Sequence, residues 1–502
     1  MQNLYATFSA GFPENHDRTL LSLPDGQTAS YADAERESAR LARLLGELGC
    51  NPGDRVTVQA PKSPQLVWLY LACLRGGFIY HPLNDAYPAA ELEYFLGDAR
   101  PKLAICTPAR EAEFRVLTQA LDCQVLTLDA DGGGSLPAAA AGMPPACIDA
   151  NCGADAVAVL LYSSGTTGKP KGAMLTHGNL AANTATLIDA WGFTTQDRLL
   201  HMLPIYHAHG LFVGLGCALM SGAQLIFRPK FDTEEAVRAL PGATVMMGIP
   251  TFYTRLLATP GFDRACCASM RLFISGSAPL RADTHAAFCE RSGHAILERY
   301  GMTETSMLSS NPLAGERRPG SVGPPLAGID IRVADRHDLP VAAGTIGAIQ
   351  VRGPNVFKGY WNAPAGTTEA FTADGFFRTG DLGRLGNDGY LTLLGRDKDM
   401  IISGGLNVYP KEIEQAIDRL DGIVESAVVG VPHADFGEAV LAAVVAESGS
   451  PVTATGIIEQ LHGQLANFKI PKRVLLVGEL PRNSMGKVQK NELRQRYADI
   501  LS

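Results

Sequence analysis

Apolar residues recur at helical spacing through residues 28–49 (TASYADAERESARLARLLGELG), and the run stops at Gly49. The pattern predicts an amphipathic helix closed by glycine. DRVTVQA then predicts a short buried strand, and SPQLVWLYLACLRGG a second helix ending at Gly76 and Gly77. Farther along, KLAICT, AVAVLLYSS, AQLIFR, TVMMGIP and RLFISGSA are brief apolar runs bounded by Gly, Pro or Ser, as strands buried on both faces of a parallel sheet would be. Strands alternating with helices predict a layered α/β architecture. Residues 120–149, rich in Gly, Ala and Pro, predict an exposed connector.

After about residue 320 the rhythm changes to short strands separated by turns (GTIGAIQVRG, DGFFRTGD, DGYLTLLGR), which predict a small β unit. PKEIEQAIDRL follows as a helix with Pro410 in its first turn, then the strand ESAVVGVP and a helical tail. The expected organisation is a large N-terminal domain over residues 1–397 and a small α+β domain over 398–502, joined near Lys398.

At 502 residues the chain exceeds what one hydrophobic core supports, in keeping with that division. The apolar stretch LFVGLGCALM is too short to span a bilayer, and the first residues show neither a secretory nor a transit pattern. The expectation is a cytoplasmic protein with no membrane contact. Ten cysteines without a C-x-x-C pair point to scattered reduced thiols. A net charge of −8 argues against nucleic-acid binding. From Lys469 to Arg496, however, eight basic residues stand against Glu479 and Glu492, a local patch suited to a small anionic ligand.

The candidate chemistry begins at YSSGTTGKPKG (162–172). Glycine-freed N–H groups, hydroxyls and lysines are what a polyphosphate needs. The run is nevertheless no Walker A loop, because Gly165 and Gly168 stand only three apart and Pro170 follows Lys169. Three further motifs follow in order: YGMTE (300–304), TGD (379–381) leading into GRDKDMIISGGLNVYPKEIE (395–414), and PRNSMGKVQK (481–490). This set resembles the adenylate-forming acyl-CoA synthetase family along essentially the whole chain.

The resemblance implies ATP, Mg²⁺ and coenzyme A as ligands, with a carboxylate activated as its adenylate and then transferred to the CoA thiol. Positioned donors, a lysine and a metal ion would stabilise the charge building on the phosphates. By resemblance, Thr166, Thr167, Gly168 and Lys169 line the phosphate loop. Thr303 meets the α-phosphate, and Glu304, with Thr166, holds Mg²⁺. Ser277, Glu298, Tyr300, Gly301 and Met302 belong to the nucleotide site. Asp381 accepts ribose hydroxyls, with Arg396 as a ribose or phosphate contact. Lys487 is the catalytic lysine, Lys398 the hinge, and Gly404 and Gly405 offer bare backbone to the pantetheine arm.

For the acid, PIYHAHG (204–210), GIPTFYTRLL (248–257) and SGSAPL (275–280) resemble the malonyl-CoA synthetase branch of the family. That branch implies a second substrate carboxylate to be paired, and Arg255 is the expected partner, against the alternative that it faces solvent or a nearby acid. His207 is read as a gate; His209 and Ser277 as contacts to the distal carboxylate; Met302 and Met307 as floor residues that limit acyl size. Arg281 has no place in the branch pattern. Methylmalonate or another short acid, and a carrier protein loaded in trans, stand as alternatives to malonate and free CoA. Acylation of Lys487 is a further expectation, since it would remove the charge adenylation relies on. The oligomeric state, monomer or dimer, is left open.

Overall fold

The computed structural model describes residues 3–163, 170–433, 435–483 and 486–501, and the statements below concern these residues. The chain divides into two compact units, Met1–Asp330 with Arg352–Gly375, and Ile331–Val351 with Phe376–Ser502. The cut expected at Lys398 is therefore not where the units part. The strands Asp330–Ala334, Gly347–Arg352, Phe377–Leu385 and Leu391–Arg396 form one four-stranded sheet. That pairing groups most of the small β unit with the C-terminal part of the chain. What the sequence suggested as a linear boundary is a double excursion of the chain.

The first unit is built on two sheets. In the seven-stranded sheet, Ile79–Pro82, Arg55–Gln59, Leu103–Cys106 and Gln124–Thr127 run parallel. Val157–Ser163 joins them in parallel and then pairs antiparallel with Lys171–Thr176. In the eight-stranded sheet, Leu297–Met302, Leu272–Ser275, Val245–Gly248, Arg198–His201, Gln224–Phe227 and Thr19–Ser22 are neighbours in that order and all parallel. Antiparallel strands, Ser306–Ser310 and Thr28–Ser30, close its two edges. The five apolar runs noted in the sequence all fall in these sheets.

Local chemistry sets the helix ends. Ser30 caps the helix Tyr31–Glu47 through a capping box with Asp33. Ser63 and Pro64 start the helix Pro64–Gly76, and Gly77 ends it at φ 69°. The expected connector at 120–149 is partly ordered instead, containing the edge strand Gln124–Thr127 and the helix Ser135–Ala140. Pairing with Leu103–Cys106 outweighs a composition that reads as loop. LFVGLGCALM lies inside a buried π-helix, His209–Leu215, running into the helix Gly216–Ser221. No described helix is long and apolar enough to cross a membrane, and the ten cysteines are free thiols.

The second unit adds to its four-stranded sheet a second one, in which the long strands Ile423–His433 and Gly437–Ala446 pair antiparallel. The hairpin Ile401–Ser403/Leu406–Val408 joins one side, and Arg473–Leu476 pairs parallel with Gly437–Ala446. The helix Pro410–Ile417 buries Ile413, Ala416 and Ile417 against this sheet.

Candidate active site

The carboxyl ends of Val245–Gly248, Leu272–Ser275 and Leu297–Met302 carry the three segments GIP, SGSAPL and RYGMTE. In open α/β sheets that edge is where ligands bind. Arg299 is only 4% exposed, and its Nε and Nη2 have no hydrogen-bond partner among the described residues. It lies flat on Gly276, where a β-carbon would stand 2.3 Å from Arg299 Cζ. Burial without a counter-charge lowers its pKa from 12.5 to about 9.

Histidines gather near this cation. The His209 backbone N–H donates to His207 Nδ1 at 3.3 Å, and Ser277 Oγ lies 3.4 Å from His209 Nδ1. His209 Nε2 is buried with no partner among the described residues. Burial first, and the Arg299 charge second, lower His207 to about 4 and hold His209 well below its ordinary value. Both imidazoles are therefore neutral at neutral pH. Ser277 sits at φ 69°, a strained turn of the kind that clusters at binding sites. The result is a buried pocket wall with one guanidinium, neutral ring nitrogens and orphaned donors, an arrangement complementary to an anion.

The YGMTE segment forms the turn between Leu297–Met302 and Ser306–Ser310. Gly301 is required there, because a β-carbon would sit 2.0 Å from Ser306 O. Glu304 is 4% exposed and accepts from Tyr360 Oη at 3.1 Å, while its carbonyl accepts from the Phe357 N–H at 2.8 Å. Thr303 and Met302 are half-buried beside it. Among the described residues no three or more His, Cys, Asp or Glu are assembled to hold a metal. A lone carboxylate with one oxygen anchored fits Mg²⁺, which needs only one or two protein ligands when it binds with phosphates and water.

Other expected residues fall into place less directly. Glu298 is buried, but its carboxylate accepts from the Gly320 N–H at 3.2 Å and so is engaged in holding a loop. Tyr300 and Met307 are buried in the sheet, and Met307 Cε lies against Gly301. Arg281 pairs with Asp283 at 2.5 Å. Thr166, Thr167, Gly168 and Lys169 lie outside the described residues. The strands on either side pair as far as Ser163↔Lys171. Tyr162 Oη donates to Asp98 at 2.5 Å, and Tyr94 Oη donates to the Pro170 carbonyl at 2.7 Å.

Arg255 was expected in the acyl pocket. On the helix Pro250–Leu257 the buried face is Phe252, Tyr253 and Leu256, and Arg255 stands to one side of it and is exposed. The cation facing inward is Arg299, one residue before the YGMTE motif. A signal was present: a charged side chain inside the buried strand LERYGM, with no acid placed to pair it.

In the second unit, Asp381 and Arg396 are direct cross-strand partners, with Arg396 Nε 2.9 Å from Asp381 Oδ1. Asp381 is 8% exposed, and Arg396 Nη1 also donates to the Thr379 carbonyl. Lys487 follows a turn in which its N–H donates to Asn483 Oδ1 and Gly486 adopts φ 72°. Its side chain keeps contact with solvent. Desolvation and then the Arg396 charge lower its pKa, while Asp381 and Asp399 oppose them. Lys398 occupies the 3₁₀ turn Asp397–Asp399. Gly404 and Gly405, at φ 57° and 78°, form the two-residue turn of the hairpin that follows.

Comparison with known proteins adds the following. The AMP-binding enzyme model matches residues 9–361, and the AMP-binding enzyme C-terminal domain model matches residues 412–487. A feruloyl-CoA synthase from Amycolatopsis sp is 36% identical over 478 residues, covering 94% of each chain. A malonate--CoA ligase from Arabidopsis thaliana is 33% identical, covering 98% of this chain and 89% of the relative. Among solved structures, ATP-bound MatB from Rhodopseudomonas palustris is 50% identical over the full length of both chains, with a TM-score of 0.98.

Proposed function

Since the chain belongs to the AMP-binding enzyme family, we propose that it joins malonate to coenzyme A, consuming ATP and releasing AMP and pyrophosphate. The observation that carries the choice of acid is Arg299, a buried guanidinium with unpartnered nitrogens beside His207, His209 and Ser277. A distal carboxylate paired with Arg299 offsets the cost of its burial; a monocarboxylate leaves it uncompensated. The relative named a malonate--CoA ligase supports the same choice.

In the first step one malonate oxygen attacks the α-phosphorus of ATP, and pyrophosphate leaves. Glu304, anchored by Tyr360, would hold the Mg²⁺ that arrives with ATP and offsets phosphate charge. Thr303, Lys487 and the loop residues Thr166, Thr167, Gly168 and Lys169 are assigned as donors to the phosphates. Asp381 accepts ribose hydroxyls, oriented by Arg396. In the second step the CoA thiolate attacks the acyl carbon of malonyl-adenylate, and AMP leaves.

His207, held neutral, is assigned to the boundary between acyl site and thiol. Gly404 and Gly405 are assigned to the pantetheine arm, and Lys398 to the pivot between steps. Acylation of Lys487 would abolish its charge and stop the first step. Chemically acetylated enzyme that still forms malonyl-adenylate at the native rate would remove that assignment. Free thiols throughout agree with a cytoplasmic location.

The test is AMP release dependent on both ATP and CoA, with malonate, methylmalonate, succinate, sulfoacetate and acetate compared. Malonate is expected to lead acetate by at least two decades in kcat/KM. Preference for acetate or an aromatic acid would overturn the choice of substrate while leaving the adenylation chemistry in place.

A further inference from the structure

Behind the pocket wall stands a second cation that the chemistry above does not use. Lys62, just before the N-cap of the helix Pro64–Gly76, directs its ammonium at three acceptors. These are His201 Nδ1 at 2.8 Å, His201 O at 2.9 Å and Leu203 O at 2.9 Å. Its Nζ also lies 4.4 Å from the Phe227 ring centroid. An ammonium has three hydrogens and accepts nothing, so Lys62 is satisfied, and no carboxylate is among its partners.

Because Lys62 donates to Nδ1, His201 must carry its proton on Nε2. That nitrogen lies 2.8 Å from the carbonyl of Gly210, to which it donates. Gly210 is the second residue of the π-helix His209–Leu215, a form of helix found mostly as single turns at functional sites. The ring also fills the space above Gly214, where a β-carbon would be 2.9 Å from His201 Cδ2 and Nε2. Gly210 in turn leaves room for the Pro204 carbonyl, which a β-carbon would approach to 2.0 Å. A continuous chain thus runs from Lys62 through His201 to the π-helix, and from the first residue of that helix, His209, to Ser277.

We propose that Lys62 and His201 are positioning residues for acid recognition: the ammonium fixes the His201 tautomer, and the imidazole fixes the π-helix that presents His209 to the substrate's distal carboxylate. Neither side chain touches substrate in this arrangement. Burial, and secondly the Lys62 charge, keep His201 neutral, at about 3, while burial without a carboxylate partner also holds Lys62 well below its ordinary value. The inference rests on the acid site read above but does not depend on which acid occupies it.

The experiment compares Lys62→Met and His201→Gln with the native enzyme, measuring KM for malonate and for ATP separately and the malonate to acetate ratio of kcat/KM. Histidine labelled with ¹⁵N reports the His201 tautomer. Lys62→Met is expected to raise the malonate KM at least tenfold and lower the malonate to acetate ratio by a similar factor. The ATP KM should stay within about twofold, and His201 should lose its pure Nε2–H state. His201→Gln, which keeps an amide donor for Gly210, is expected to retain much of the ratio. Equal changes in both KM values would reduce Lys62 to a general contributor to folding, and an unaltered ratio with an unaltered tautomer would overturn the proposal. A native enzyme that prefers some other acid defeats the malonate reading alone, because the Lys62 effect is then read on that acid's KM.

Discussion

Replacing Arg299 by methionine removes the pocket cation while keeping most of its apolar stem. The lowering of Arg299 from 12.5 to about 9 corresponds to about 5 kcal/mol of penalty on the charged form, close to the 3–5 kcal/mol lost on average when one member of a buried ion pair is removed. A malonate whose second carboxylate meets this guanidinium recovers most of that penalty. Without the guanidinium the carboxylate itself is buried unpaired. Malonate kcat/KM is therefore expected to fall by about two to four decades in Arg299→Met. Acetate, which never reached the cation, should hold or improve. The free variant should also unfold at a higher temperature than the native enzyme, because an uncompensated buried charge has gone. Malonate should raise the native unfolding midpoint but not that of the variant. Steady-state AMP release on both acids, with thermal unfolding with and without malonate, reads all of these. A variant that keeps the native malonate to acetate ratio refutes the assignment, and one that is less stable without ligand refutes the energetic argument behind it.

Four further outcomes follow from the same geometry. Gly276→Ala places a methyl 2.3 Å from Arg299 Cζ and displaces the guanidinium without removing it; the malonate KM should rise about tenfold, a 1.4 kcal/mol effect, with secondary structure by circular dichroism unchanged. Arg255→Ala, at an exposed site, should leave the malonate to acetate ratio within about twofold, as surface changes contribute under about 0.5 kcal/mol; loss of selectivity there would restore the role first expected of Arg255. Lys487→Ala should depress malonate-dependent pyrophosphate exchange by about two to three decades while sparing thioester formation from synthetic malonyl-adenylate, and equal losses in both half-reactions would contradict its assignment to the first. Burial holds His81 and His201 at about 3 and His177 and His207 at about 4. Below pH 6.5 the unfolded chain binds protons that the folded one refuses, so stability falls as pH drops from about 6.5 toward 4; a urea midpoint that stays flat to pH 4.5 would contradict this.

Much of the scaffold is legible because the apolar runs are short, separate and closed by turn residues. TVMMGIP and RLFISGSA read directly as strands of a parallel sheet, and Ser63-Pro64 with Gly77 mark both ends of a helix. The motifs that carry Glu304 and Asp381 are legible as local structure for a different reason. Their neighbours are fixed by local geometry, with a glycine where Gly301 meets Ser306 O and a cross-strand partner where Asp381 meets Arg396. The domain division was less legible, since the strands 347–352 and 377–385 owe their membership to pairing across a long insertion.

The acyl site resisted reading because its logic lies in what is missing. Arg255 attracted attention as a cation in an apolar helix, yet a helix of eight residues has a solvent side, and Arg255 occupies it. Arg299 is masked by its neighbours: in LERYGM the alternation places Glu298 and Arg299 on opposite faces of one strand, and the pair reads as an ordinary polar doublet. Only the three-dimensional arrangement separates them. Glu298 goes to the Gly320 N–H, while Arg299 lies on Gly276 with no acid to meet it. A charge buried without a partner is unfavourable for folding alone. Its place at the carboxyl edge of the sheet, beside histidines whose titration it suppresses, suits a ligand that brings the missing negative charge, which in the function proposed above is the second carboxylate of malonate.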